Sequence, residues 1–138
     1  MAKEFWLNLP VKDIKRSKAF FSALGFSFNE NFGGGPNAAC LLVGEKNIVV
    51  MLFEEPAFKG FTQSPVADTQ QGTEVLLSFD VHNKEEVDEI AQKVLAAGGK
   101  TDHQPHEMQG WIYGSVFTDP DGHRWNPVYM DFSKMPKG

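Results

Sequence analysis

Asp119-Pro120-Asp121-Gly122-His123-Arg124-Trp125-Asn126 and Trp6-Leu7-Asn8-Leu9-Pro10-Val11-Lys12-Asp13 are the two stretches on which the reading of this chain turns. The first is a tight turn that feeds a last strand. Asp at its first position, Pro at its second and Gly at its fourth suit a type I turn. The second is a strand that runs into a helix, with Asp13 as the N-cap. Laid position for position on Leu76-Leu77-Ser78-Phe79-Asp80-Val81-His82-Asn83, it ends in the same way: a Val, one further residue, then a helix cap. That echo predicts a fold built from two copies of one small unit.

The rest of the chain can be read outward from there. Residues 5–11 form the first strand. Ile14, Phe20, Phe21 and Leu24 then give one apolar helical face, which Gly25 stops. Residues 26–28 are a short strand, and Gly33-Gly34-Gly35-Pro36-Asn37 is a break. With no clear strand before it and no helix after it, the break reads as a connector and not as a phosphate loop. Strands at 38–43 and 47–53 are joined by the turn Gly44-Glu45-Lys46-Asn47. Residues 55–72 lack periodicity and read as a linker with one helical turn around Ala57–Phe61.

The second half repeats the plan. A strand over 74–81 is followed by a capping box, Asn83 with Glu86. Val87, Ile90, Ala91, Val94 and Leu95 form a helical stripe that Gly98-Gly99 ends. A strand near Lys100–His103, a polar loop, and strands at 111–118 and 124–131 complete it. The expected class is α+β: two βαβββ modules, about 1–55 and 73–132, joined by a linker at 56–72 in a single domain.

Composition narrows the function. The chain has 138 residues, of which 41% are hydrophobic and 22% charged, a globular balance with enough length for a real core. Its net charge is −5 and it has no basic stripe, so nucleic acid is not an expected partner. No apolar run is long enough to span a membrane, and Met1-Ala2-Lys3-Glu4 opens no signal sequence. A single cysteine, Cys40, allows no intrachain disulfide, and its apolar flanks make it a buried small hydrophobe. These features predict a cytoplasmic protein. Twelve Phe, three Trp and two Tyr either fill the core or line a cavity suited to an aromatic or cationic ligand.

The residues Leu9-Pro10-Val11-Lys12-Asp13-Ile14-Lys15-Arg16-Ser17-Lys18-Ala19-Phe20-Phe21, Leu24-Gly25-Phe26, Ala97-Gly98-Gly99 and Asp119-Pro120-Asp121-Gly122-His123 resemble the vicinal oxygen chelate superfamily over nearly the whole chain. That group includes glyoxalase I, extradiol dioxygenases, and fosfomycin- and bleomycin-resistance proteins, and the chain looks most like its glyoxalase-like branch. The resemblance implies two curved mixed sheets around a cleft, and a homodimer that covers the sheet edges. It also implies metal ligands on the first and last strand of each module. Those positions fall at Trp6, near Met51, at Leu76 (or Glu74 if the pairing slips by two) and at Asn126. A divalent metal needs His, Gln or Glu donors there. Trp, Met and Leu do not serve and Asn is a weak neutral donor, so no metal cofactor is expected.

Alternation along the strands, set in that resemblance, turns three groups toward the cleft. These are Trp6, Asn8 and Pro10; Val49, Met51 and Phe53; and Glu74, Leu76 and Ser78. Asn126, Val128 and Met130 make a fourth. Trp125 and Tyr129 then face the helices. Trp111 and Tyr113 either form an aromatic wall or pack on their hairpin neighbours. His103 and His106 read as exposed loop histidines, since Pro105 argues against a helix. His123 bonds within its turn or serves a pocket.

Two functions follow. One is a small-molecule-binding protein that has lost the usual metal ligands, taking its ligand on Trp6, Asn8, Met51, Phe53, Leu76, Trp111, Tyr113 and Asn126. The other is a metal-dependent lyase, transferase or dioxygenase of the same superfamily, in which a divalent metal chelates vicinal oxygens. In either case Glu74 is the carboxylate nearest the expected cleft, as a base or as the anchor of a cation.

Overall fold

A computed structural model describes residues 1–32 and 35–137. Gly33 and Gly34 of the expected glycine break lie outside the described residues. The chain divides into two compact units, residues 1–69 and 70–138. The first holds β1 (Leu7–Val11), α1 (Ile14–Ala23), β2 (Ser27–Phe28), β3 (Ala38–Val43), β4 (Ile48–Glu54) and α2 (Glu55–Thr62). The second holds β5 (Leu76–Asp80), α3 (Lys84–Ala96), β6 (Lys100–Met108), β7 (Ile112–Thr118), β8 (Arg124–Met130) and a 3₁₀ turn at Phe132–Lys134. Each unit is βαβββ, and each forms one mixed sheet, in the orders β1-β4-β3-β2 and β5-β8-β7-β6. The α+β class and the doubled module stand as the sequence predicts.

In both units the sheet closes in the same way. The first strand runs parallel to the last, Asn8 beside Met51 in one unit and Ser78 beside Asn126 in the other. The remaining pairs are antiparallel. A parallel pair needs a crossover, and the amphipathic helix supplies it. Asp13 caps α1 by accepting from the backbone N–H groups of Lys15 and Arg16, and Asn83 caps α3 by accepting from Glu86. Each helix ends on a glycine of positive φ, Gly25 and Gly98. The N–H after each glycine reaches back a full turn, Phe26 to Phe21 and Gly99 to Val94.

The helix-covered faces carry the cores. In the first unit Leu9, Val11, Leu41, Val50 and Leu52 alternate onto one face and are buried together with Phe20 and Phe21 of α1. In the second unit Leu77, Phe117 and Trp125 are buried with Val87, Ala91 and Val94 of α3. The Trp125 indole stacks parallel to Phe117 at 6.3 Å. A fully buried aromatic of this kind contributes about 3–5 kcal/mol against truncation. Trp125 and Tyr129 therefore point as alternation predicts.

Two segments differ from the sequence reading. The expected linker begins with a two-turn helix, α2, instead of a single turn, and Phe61 packs edge-on against Phe53 at 5.0 Å. The expected polar loop after His103 is strand: β6 continues to Met108, with register breaks between Thr101 and His103 and between His103 and His106. Among the described residues, no helix is long and apolar enough to cross a membrane.

Candidate functional site

The face of the first sheet opposite α1 carries Asn8 and Pro10 of β1, Met51 and Phe53 of β4, and Cys40 of β3. Register sets Asn8 and Cys40 on either side of Met51 and places Pro10 beside Phe53. Met51 is buried, Phe53 half-buried and Asn8 exposed. Trp6 lies one residue before β1 with 52% of its surface exposed. A cavity of about 300 Å³ lies against α1 and this sheet, walled by Ile14 and Lys18 of α1 together with Phe28, Glu30, Cys40 and Met51; Trp6, Asn8 and Phe53 do not line it. Lys18 Nζ donates to Glu30 at 3.0 Å and lies 5.7 Å above the Phe28 ring, so the wall mixes apolar surface with an ion pair, and Lys15 and Asn29 add further polar groups. Burial pushes the Cys40 thiol up, against a backbone hydrogen bond from Asn29. That favours the protonated, unreactive form, in keeping with a small core hydrophobe.

In the second unit the face away from α3 carries Leu76 and Ser78 of β5, Asn126 and Val128 of β8, and Gly114 and Val116 of β7. Asn126 is the informative residue. Pro127 has no N–H to give the ladder. The register is the same on either side of it, Gly114 opposite Val128 and Phe117 opposite Trp125, which leaves Ser115 across from Pro127. The Ser115 carbonyl accepts from Asn126 Nδ2 at 2.8 Å instead. Asn126 Oδ1 in turn accepts from Ser78 Oγ at 2.9 Å. Both ends of the amide are engaged. The strands approach closely here: a Cβ on Gly114 would lie 2.9 Å from Val128 Cγ1 and 3.0 Å from the Pro127 carbonyl, so only glycine fits.

Leu76 is exposed on the same face. Glu74 stands in a bend before β5 and is exposed, outside the strand whose alternation would aim it. Tyr113 stands on the other face: it pairs with Tyr129, donates its hydroxyl to Asp88 of α3 at 2.7 Å, and has Lys84 Nζ 5.6 Å above its ring. The Asp88 bond, with burial and the same charge, pushes the Tyr113 phenol up. Tyr113 thus packs on its neighbours and leaves the expected wall. Trp111 is half-buried, its ring 5.9 Å from Phe132.

The turn before β8 is held by Asp119. Its Oδ1 accepts from the N–H groups of Asp121 at 2.9 Å and His123 at 3.0 Å, and its Oδ2 from the Trp125 indole at 3.1 Å. Burial pushes this carboxyl up, opposed by the His123 charge and by those three donors. The backbone of His123 therefore bonds within its turn. His103 and His106 belong to a strand and not to a loop, and their rings meet at 4.1 Å between centroids.

The positions at which the resemblance places metal ligands lack the His, Gln or Glu donors it calls for, unless the pairing slips by two from Leu76 to the exposed Glu74. They hold Trp6, buried Met51, Leu76, and an amide already committed at both ends. Among the described residues, no three His, Cys, Asp or Glu side chains gather to hold an ion.

Residues 5–126 match the family model of the Glyoxalase/Bleomycin resistance protein/Dioxygenase superfamily. No protein of curated function matches. Among solved structures, hypothetical protein SA1046 from S. aureus is 34% identical over 94% of this chain and 95% of that one, with a TM-score of 0.83. A glyoxalase/bleomycin resistance protein/dioxygenase family enzyme from Burkholderia phytofirmans PsJN is 24% identical over 91% and 97%, with a TM-score of 0.77. The fosfomycin resistance protein FosX from Listeria monocytogenes, 18% identical over 96% and 97% with a TM-score of 0.67, shares the fold. With 122 consecutive residues inside the family model and both βαβββ units in place, this chain belongs to the Glyoxalase/Bleomycin resistance protein/Dioxygenase superfamily.

Proposed function

We propose that this chain is a cytoplasmic, homodimeric member of the superfamily that binds a small aromatic or cationic molecule without a metal at the family's ligand positions. The observation that carries the reading is Asn126. Its amide bonds Ser78 and the Ser115 carbonyl, so the last-strand position is occupied with holding the sheet together. In the first unit Trp6 and Met51 offer aromatic and apolar surface where donors would stand, with Asn8 and Phe53 near Met51 on the same face. In the second unit Leu76 does the same, and Trp111 stands in the turn before β7. The net charge of −5 favours a cation, and Glu74 supplies a local carboxylate that could anchor it or accept its proton.

The test is a set of thermal melts on untagged, chelator-dialysed protein, with nickel, zinc or manganese and with a panel of aromatic amines. A ligand at a hundred times its Kd adds about 2.7 kcal/mol to stability. An aromatic amine is expected to raise the melting temperature, and Glu74→Gln is expected to abolish the rise while leaving the unliganded melt unchanged. One metal per chain that Glu74→Gln removes would replace this reading with a metal-dependent lyase, transferase or dioxygenase. Light scattering is expected to give about twice the chain mass of 15.4 kDa. A monomer at micromolar concentration would refute the dimer.

A further inference from the structure

We propose that His103 and His106 form a two-imidazole site for a divalent transition metal on β6, apart from every position at which the family's ligands would fall. In a regular strand, residues three apart point to opposite faces. Here the ladder pairs His103 with Val116 and His106 with Gly114, three residues of β6 against two of β7. Val116 and Gly114 share a face, so the extra residue brings both histidines onto that face. It is the face of Ser78, Asn126 and Val128, away from α3. Pro105, which has no N–H to pair, sits inside this irregularity on an edge strand, where its loss of a ladder bond costs least.

The consequence is a meeting of two rings, their centroids 4.1 Å apart and their planes inclined by 51°. One tautomer is set by the backbone. His106 Nδ1 lies 2.8 Å from the Gln104 carbonyl, which can only accept, so Nδ1 carries the proton and Nε2 carries the lone pair. Metal-binding histidines are commonly oriented in this way, by donating the far N–H to a backbone carbonyl. His103 is exposed and His106 half-buried, so an ion reaches them from solvent. Paired imidazoles suit nickel, copper or zinc rather than magnesium or calcium. With two protein donors and water completing the shell, the ion is exchangeable and removable by chelator. The site is independent of the metal-free reading of Trp6, Met51, Leu76 and Asn126.

The test is calorimetric titration of untagged, chelator-dialysed protein with nickel(II) alone. One saturable ion per chain is expected in the wild type and in His82→Gln, and none in His103→Gln or in His106→Gln. A measurement that needs no variant runs beside it: substoichiometric nickel should broaden the ring resonances of both His103 and His106 before those of His82 and His123. Absence of saturable binding in the wild type would overturn the proposal. So would binding that survives loss of either histidine, or first broadening elsewhere. Nickel-dependent stabilisation that persists without both histidines would count instead against the metal-free reading of the family positions.

Discussion

Replacing Asp119 by alanine is expected to cost about 4 kcal/mol, or roughly 15 °C of melting temperature for a chain of this size. The residue is 4% exposed and its carboxylate receives three N–H donors, two from the backbone of its own turn and one from the Trp125 indole. Alanine leaves all three without an acceptor in a site closed to water, and each orphaned buried donor costs about 1–3 kcal/mol. The damage extends beyond the turn, because the indole that loses its partner belongs to the largest fully buried side chain of the molecule. Asp119→Asn should cost less. An amide oxygen still serves the two backbone donors, while its NH₂ replaces the acceptor that the indole needs. Urea unfolding of the two variants checks the order. An alanine variant within 1 kcal/mol of wild type would mean that the turn is held by Pro120 and Gly122 alone.

Asn126→Asp is expected to cost about 2 kcal/mol while changing no heavy-atom count. The amide NH₂ is the donor that satisfies the Ser115 carbonyl opposite Pro127. A carboxylate there faces that carbonyl oxygen with another acceptor, and Pro127 cannot help. The Ser78 hydroxyl can still donate, so the loss is confined to one side of the residue. The substitution also introduces the kind of donor a metal prefers, yet it is expected to create no metal site, since Ser78 and Leu76, on the same face of the neighbouring strand, offer no charged or imidazole donor to complete one. Denaturant unfolding with and without zinc measures both effects. An aspartate variant as stable as wild type would show that water, not Asn126, serves the Ser115 carbonyl.

The parts of the fold that were legible are those where local chemistry and tertiary packing agree. Asp13 and Asn83 cap their helices in the structure as their positions suggest, and Gly25 and Gly98 end them. The run Ala38-Ala39-Cys40-Leu41-Leu42-Val43 is a strand from end to end. What was hidden has identifiable causes. The α2 helix is eight residues long, with Pro56 at its start and Gly60 inside, so its propensity is weak and its contact between Phe61 and Phe53 cannot be seen in sequence. The second half of β6 has the sequence pattern of a loop because two register breaks erase the alternation on which strand reading depends.

The site was legible to the extent that parity was. Trp125 and Asn126 point to opposite faces as expected. Tyr113 shares parity with Phe117, which sits opposite Trp125, and so it had to lie on the helix side. Glu74 fell outside the strand because β5 begins only where Arg124, the first residue of β8, offers it a partner. The link between Asn126 and Ser115 was foreshadowed by Pro127, whose missing N–H leaves a carbonyl in search of a donor. Which donor answered was a matter of geometry.

The interrupted outer edge of the second sheet bears on how the protein behaves in a crowded solution. A long, flat outer strand offers a row of unpaired N–H and C=O groups that another chain can extend, and that is a common start of aggregation. The β6 strand has no such row. Pro105 removes one donor, the two register breaks turn others out of line, and charged Lys100, Asp102 and Glu107 flank them. The irregularity that brings two histidines together thus also denies a neighbouring molecule a straight template to grow on.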